Sequence, residues 1–192
     1  MDTAALMKAA PIVGLYSAAA GSGKSEAANA LVASGFERVK FAGPLKAMLR
    51  ALLGEMGISC RDIERMIEGD LKETSVPGLH AITPRHLMQT LGTDWGRRTV
   101  AAGLWTDVAM AKARHATRSG ARVVLDDLRF PAEYGAIKFA GGVCVRVDRP
   151  SMPWGGRSRY EGQLDDHAFD AVIVNDGTLA DLHARVQALF RA

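Results

Sequence analysis

Gly21-Ser22-Gly23-Lys24-Ser25 is the stretch of this chain whose residue types and spacing do the clearest chemistry. Lys24 carries a mobile cation suited to the β- and γ-phosphates of a nucleotide, and the Ser25 hydroxyl is a hard oxygen ligand for Mg²⁺. Gly21 and Gly23 let the backbone curl round a phosphate with no side chain in the way. An apolar strand pattern (Ile12, Val13, Leu15) precedes the loop, and a helix-compatible run from Glu26 to Val32 follows it. The unpaired amides and dipole of that helix start add positive potential where the phosphates would rest. Ala20 through Glu26 therefore make the candidate cradle. The full pattern, G-x-x-x-x-G-K-[ST], begins on Ala18 here. That position either takes an ordinary backbone geometry or adds mild strain.

Four other groups could take part. Asp126 and Asp127 end an apolar run, Arg122 to Leu125, that reads as a buried parallel strand with its carboxyl end at an active edge. One of them is a candidate acid for holding Mg²⁺ or orienting a substrate group, and alternation sends the two side chains to opposite faces. Arg129 follows within reach of the same edge. Arg85, Gln89 and Gly92 recur at four and three residues on a helix that opens at Thr83-Pro84, so they share a face. A guanidinium for a phosphate, an amide for a base edge and a glycine for close approach make a mononucleotide reader. Leu87, Met88, Leu91 and Trp95 form its buried side. Lys46 and Arg50, four apart on a helix opened by Pro44, read either as a cationic pair for a substrate phosphate or as a solvated face. Arg149, Arg157 and Arg159 lie in or beside a glycine-bearing stretch that reads as a closing lid or as a plain basic loop.

The elements that must position these groups follow in order. Residues 1–10 carry no signal and read as a loose terminus. Strands are expected at Ile12–Ser17, Arg38–Phe41, the run ending at Asp126-Asp127, Val143–Val147 and Ala171–Val174. Helices are expected at Lys24–Ser34, from Pro44, at Arg61–Glu68, from Pro84, at Leu104–Ser119, at Glu133–Ala140 and from Leu179. In the Pro44 helix the apolar stripe is Leu45, Met48, Leu49, Leu52, Leu53 and Met56. Leu104, Val108 and Ala111 are the inward positions of the 104–119 helix. Thr178 with Asp181 resembles a capping box, with Leu179, Leu182, Val186, Leu189 and Phe190 facing a core. Strands alternating with helices specify an α/β doubly wound parallel sheet.

The chain has 192 residues, 48% of them apolar, and a net charge of +3. That fits one domain, and no stretch has the apolar length to span a bilayer. The mild positive charge suits an anionic ligand, while the lack of a long Lys/Arg block argues against nucleic-acid binding. Two cysteines, Cys60 and Cys144, make neither a disulfide framework nor a zinc pattern, so a reduced cytoplasmic setting is the default. Lys8 and the apolar run to Ala20 resemble a leader peptide, but cleavage at Ala18-Ala20 would cut the phosphate loop.

With these residues placed, the chain resembles the P-loop nucleoside monophosphate kinases. More closely, it looks like the deoxynucleoside monophosphate kinases of bacteriophages and prophages. The likeness rests on Gly21–Ser25, Phe41–Lys46, Arg85 with Gln89-Thr90-Leu91-Gly92-Thr93-Asp94 to Arg97, and Trp105. It continues through Asp127-Leu128-Arg129-Phe130 with Glu133, Gly141-Gly142, Arg149-Pro150 and Asn175-Asp176-Gly177-Thr178. The resemblance implies a single kinase domain over 1–192, with a five-stranded core at 11–43 and 120–192. A helical acceptor insertion is implied at about 44–119, and an arginine-bearing lid at about 149–167.

It implies ATP as donor with Mg²⁺, and a nucleoside monophosphate as acceptor. It places Ala20 to Glu26, Arg149 and Asn175 on the donor, and Ser25, Asp126 and Asp127 on the metal. Lys46, Arg50, Arg85, Gln89, Gly92, Asp94, Trp95, Asp126 and Arg129 fall to the acceptor, with Lys24, Asp127, Arg129 and Arg157 at the transferring group. It implies no nucleic-acid or membrane partner and leaves a homodimer open. Besides Ala18, the chain departs from the pattern at His167-Ala168-Phe169-Asp170, where a His-x-Ser-Glu-like segment is expected. Dephospho-coenzyme A kinase shares the phosphate loop and a similar Asn-Asp-Gly-Thr ending, but the acceptor helix argues against it. A switch GTPase would need Asp-x-x-Gly and Asn-Lys-x-Asp, which are absent, and a dead nucleotide-binding module would not keep Lys24-Ser25 intact.

Overall fold

A computed structural model describes residues 3–150 and 162–191. Its strands are β1 (Ile12–Tyr16), β2 (Phe36–Val39), β3 (Arg122–Leu125), β4 (Val143–Asp148) and β5 (Ala171–Val174). They form one five-stranded sheet in the order β2-β3-β1-β4-β5, every pairing parallel. This is the α/β parallel sheet expected from the sequence. The register sets Ile12 against Val123, Val13 against Val143, Phe36 against Arg122 and Val145 against Ala171. β1 is thus the central strand, and its carboxyl end opens into the glycine loop.

The helices are α1 (Thr3–Ala9), α2 (Lys24–Ala33), α3 (Gly43–Glu55), α4 (Cys60–Ile67), α5 (Pro84–Gln89), α6 (Leu104–Arg118), α7 (Pro131–Phe139) and α8 (Leu179–Phe190), with a π-helix at Thr90–Val100. Alternation splits β1 between two cores. Val13 and Leu15 join Val124, Val145 and Ile173 beneath α1, α2 and α8. Ile12 and Tyr16 join Val123, Leu125 and Cys144 beneath α7 and the later part of α6. Both faces of the sheet are covered, as an all-parallel sheet requires.

The chain divides into two compact units, one of residues 1–41 and 109–192, the other of Ala42–Val108. The first holds the sheet. The second is helical, with its own core of Leu49, Leu53, Ile63, Met66, Ile67 and Val76. Three helix starts follow side-chain caps. Ser59 accepts from the Asp62 amide, Thr83 from the His86 amide, and Thr178 from the Asp181 amide. The Asp181 carboxylate in turn accepts from the Thr178 amide at 2.8 Å, completing the box.

Several expectations are corrected. Residues 3–9 are helical rather than loose, and Met7 is fully buried beside α8. Arg122 holds this start of the chain, donating to the carbonyls of Met7, Ala10 and Phe190 while lying 4.2 Å over the Phe36 ring. β2 starts two residues earlier than the apolar pattern indicates, directly after the turn at Gly35. On α3 only Leu45, Leu49 and Leu53 are buried, while Met48 and Leu52 are exposed. On α6 the inward residues are Trp105, Ala109, Met110, Ala113 and Ala116, and Val108 is exposed. Leu179 is also exposed, leaving Leu182, Val186 and Phe190 to anchor α8.

Candidate active site

β1 ends at Tyr16, and the chain turns through Ser17–Ser22 before α2 begins. The turn is braced internally: Ser22 Oγ donates to the Ala19 carbonyl at 2.8 Å and Ser17 Oγ donates to it at 3.1 Å. Gly21 and Gly23 have φ of 79° and 93°, left-handed values that favour glycine. Ala18 is buried and has no left-handed φ, so the missing first glycine adds no backbone strain. Gly23 caps α2 without a side-chain bond, which leaves the first-turn amides to an anion. Asn175 closes the loop from below. Its Nδ2 donates to the Ser22 carbonyl at 3.0 Å, and a Cβ on Gly23 would collide with the same amide.

Above this loop lies a cavity of about 550 Å³. It is lined by Ala20, Gly21, Ser22, Gly23, Lys24, Ser25, Glu26, Arg149 and Asn175, the whole donor set read from the sequence, together with Arg129. Tyr16, Ser17, Ala19, Gly177, Leu179 and Leu182 complete the wall. Local pattern carries little signal for these. Leu179 reads as a core leucine of α8, yet it is 54% exposed and presents its side chain to the cavity. Tyr16 is visible only as a strand residue. Its hydroxyl donates to Asp165 Oδ1 at 2.6 Å and its ring stacks on Phe169, partners about 150 residues away in the chain. Burial, then the Asp165 carboxylate, pushes the phenol well above its ordinary range, so it stays a proton donor.

The two acids at the end of β3 part company. Asp127 accepts from the Phe41 amide at 2.8 Å. Asp126 is 5% exposed, with Arg38 Nε at 3.7 Å and Lys40 Nζ at 3.9 Å from its Oδ2, while its Oδ1 has no hydrogen-bond partner. A polar chain runs from there to the loop helix. Arg38 donates to Asn29, and Asn29 donates to Glu26. Neither Asp126 nor Asp127 lines the cavity. Arg129 does, and its amide is held by Glu133, a fully buried carboxylate that also accepts from the Phe130 amide. The readings of Arg157, Arg159 and the middle of the lid fall outside the described residues. His167–Asp170 has a structural part: Asp170 accepts from the Cys144 amide and from Lys138.

The remaining acceptor residues lie in the helical unit, where two readings are corrected. Lys46 and Arg50 are not an open cationic pair. Lys46 donates to both oxygens of Glu68 at 2.8 and 2.9 Å, and Arg50 grips Glu64 at 2.6 and 3.0 Å. Arg85 is likewise paired, with Glu73. The shared face of Arg85, Gln89 and Gly92 does not form either, because the helix changes period after Gln89. Across Thr90–Val100 it is a π-helix, in which each bond spans five residues, as from the Ala101 amide to Gly96. Arg85 and Gln89 remain exposed, but Gly92 is buried, 3.5 Å from Leu45 at its Cβ position.

Such helices are rare and mostly single turns, so one of 11 residues needs a prop. Trp105 supplies it. Its indole Nε1 donates to the Gly92 carbonyl at 2.8 Å, and its ring fills the place of a side chain at Gly96. Trp95, read as a buried residue, is instead 42% exposed and sits 6.1 Å from the Trp105 ring; Asp94 pairs with Arg98 on the outer side.

Mg²⁺ is commonly held by one or two protein oxygens together with substrate phosphates and water. The Ser25 hydroxyl beside Lys24 in the cavity wall fits that pattern. Among the described residues no group of three or more His, Cys, Asp or Glu side chains is placed to hold a metal, and no helix is long and apolar enough to cross a membrane.

The family model for deoxynucleotide monophosphate kinase matches residues 57–186. A protein of Acanthamoeba polyphaga mimivirus named "Putative deoxynucleotide monophosphate kinase" is 30% identical over 182 residues, covering 86% of this chain and 89% of that one. Among solved structures, TT1252 from Thermus thermophilus is 19% identical, with coverage of 92% and 94% and a TM-score of 0.46.

Proposed function

Because the chain belongs to the deoxynucleotide monophosphate kinase family, we propose that it moves the γ-phosphoryl group of ATP to a deoxynucleoside 5′-monophosphate. The products are ADP and the deoxynucleoside diphosphate. The observation that carries this reading is the cavity over Gly21–Ser25, into which Lys24, Arg129 and Arg149 all face.

Phosphoryl transfer has a loose transition state, so the protein mainly positions reactants and neutralises charge. An oxygen of the acceptor phosphate attacks the γ-phosphorus as the bond to the β–γ bridging oxygen breaks, and the electron pair leaves on ADP. The loop amides and Lys24 hold the β- and γ-phosphates. Arg129 and Arg149 compensate charge spread over the transferring group. Arg157, in the lid reading, is a further cation for the same charge. Asn175 keeps the loop in its anion-binding shape through Ser22.

Mg²⁺, when bound, neutralises the β- and γ-oxygens. Ser25 would hold it, with Asp126 or Asp127 as acid at the carboxyl end of the neighbouring strand. The buried Asp126 Oδ1, which lacks a hydrogen-bond partner, is the atom suited to receive a water there. The acceptor falls to the helical unit. Lys46, Arg50 and Arg85 are its cations, Gln89 reads the base, and Asp94 and Trp95 offer polar and stacking contacts. Gly92 keeps a supporting part only, through its bond from Trp105.

A coupled ADP-release screen tests this, with ATP against each common ribo- and deoxyribonucleoside monophosphate and against dephospho-coenzyme A. Release is expected with at least one deoxynucleotide. Release with none of them, or with dephospho-coenzyme A alone, overturns the proposal.

A further inference from the structure

Every cation that the preceding section gives to the acceptor is already held by a carboxylate. Lys46 is 17% exposed and clamped by Glu68; Arg50 meets Glu64 in a two-pronged bond and Glu68 at 3.6 Å; Arg85 meets Glu73. The three carboxylates come from one short stretch, α4 and the turns after it, whereas the cations come from α3 and α5. We propose that Glu64, Glu68 and Glu73 are internal competitors for the acceptor phosphate in the helical unit: they occupy its cations until a phosphate dianion displaces them. This rests on reading Lys46, Arg50 and Arg85 as acceptor contacts.

First, the Arg50–Glu64 and Arg85–Glu73 pairs are largely exposed on the carboxylate side, with Glu64 at 54% and Glu73 at 66%, so solvent screens them and each is cheap to break. Second, a carboxylate and a phosphate compete for the same guanidinium fork, but the phosphate dianion brings a second charge and a third oxygen. Exchange therefore favours a phosphorylated ligand, while a neutral nucleoside has nothing to offer in return. Third, the Glu64 carboxylate is ionised when the exchange must occur. The Arg50 hydrogen bond holds the Glu64 carboxyl below its usual range. The cations are thereby kept extended and correctly spaced without an acceptor, at a cost in acceptor affinity.

The test uses the full chain with Glu64→Gln, Glu68→Gln and Glu73→Gln, singly and together, each shape-conserving and each removing one charge. Binding of the four common deoxynucleoside monophosphates, of thymidine and of ATP would be measured calorimetrically, beside thermal melting. Each substitution is expected to tighten monophosphate binding about two- to fivefold. Thymidine and ATP binding should not change. A purely structural role for these glutamates would move the melting temperature without tightening the monophosphate. Unchanged or weaker monophosphate binding in a variant that melts like the wild type overturns the proposal. Glu73→Gln, on an exposed turn, supplies the result if the α4 substitutions fail to fold. Wild-type turnover is assayed alongside. If it occurs and the variants show unaltered affinities, only this proposal falls. If the wild type neither binds nor phosphorylates any monophosphate, the functional reading falls and takes this one with it.

Discussion

The side-chain amide of Asn175 donates to the backbone carbonyl of Ser22 at 3.0 Å, joining the turn before the last helix to the floor of the phosphate loop. Both residues are buried, so the carbonyl has no water to turn to if the amide is removed. Asn175→Ala should therefore destabilise the protein by about 1–3 kcal/mol and weaken ATP binding. Asn175→Asp should be worse, since a carboxylate faces the carbonyl in place of a donor. Chemical denaturation and calorimetry check both. A variant with wild-type stability and ATP affinity would show that the loop holds its shape without this bond.

Lys24→Ala should lower phosphoryl transfer by about 10²–10³-fold, the usual cost of one lost electrostatic contact to the developing charge. Lys24 sits at the junction of loop and helix and is no part of either core cluster beside the sheet, so the melting temperature should stay near that of the wild type. A variant retaining more than about a tenth of the rate would remove Lys24 from the transferring group.

Arg85→Ala and Gln89→Ala should separate in kind. In the proposed reading Arg85 turns to the phosphate, which all acceptors share, so its loss should raise KM for every monophosphate. Gln89 is exposed one turn later, and its loss should reorder the bases, because an amide matters only where the base offers it a partner. Steady-state kinetics over the four deoxynucleotides decides. Uniform slowing by Gln89→Ala would exclude it as the base reader.

Gly96→Ala should disturb the helical unit first. The new methyl would meet the Trp105 ring at 2.5 Å, and such overpacking costs about 1–3 kcal/mol. The expected signs are a shift in tryptophan fluorescence and weaker acceptor binding, with ATP binding kept. Unaltered fluorescence and acceptor binding would mean that Trp105 does not hold the π-helix in register.

Acid should expose the cap of the last helix. The Thr178 amide, then its hydroxyl, holds the Asp181 carboxyl below its ordinary value of 3.8. A depressed native pKa adds stability that is present above the unfolded value and is lost as pH falls through the native one. The melting temperature of Asp181→Asn should thus lie below that of the wild type at neutral pH, and the gap should close below about pH 4. A gap that stays constant down to pH 3 would exclude this linkage.

What was legible in the sequence, and what was not, follows the range of the forces involved. The phosphate loop, the strand before it and the helix after it are specified by neighbours in the chain, and Gly21, Gly23 and Lys24 lie where local pattern puts them. β5 and the cap at Thr178 are likewise local. The π-helix is not. Its period is imposed by Trp105 from the next helix, so a face drawn at ordinary helical spacing through Arg85, Gln89 and Gly92 misplaces the glycine. The partners of Lys46, Arg50 and Arg85 escaped for the same reason, since spacing along one helix says nothing about a carboxylate arriving from another. Residues 3–9 have too few turns to announce a helix. Met7 and the clasp of Arg122 give them one.

The central position of β1 has a consequence for how the chain is made. Ile12 must find Val123, and Val13 must find Val143, before the first strand has a neighbour on either side. During synthesis the glycine loop therefore leaves the ribosome with no sheet to stand on, while Ala42–Val108 emerges as one uninterrupted stretch with a core of its own. Local contacts form quickly and distant strand pairings slowly. The helical unit should accordingly acquire its structure on the nascent chain first, and the nucleotide cradle should be the last part of the enzyme to exist.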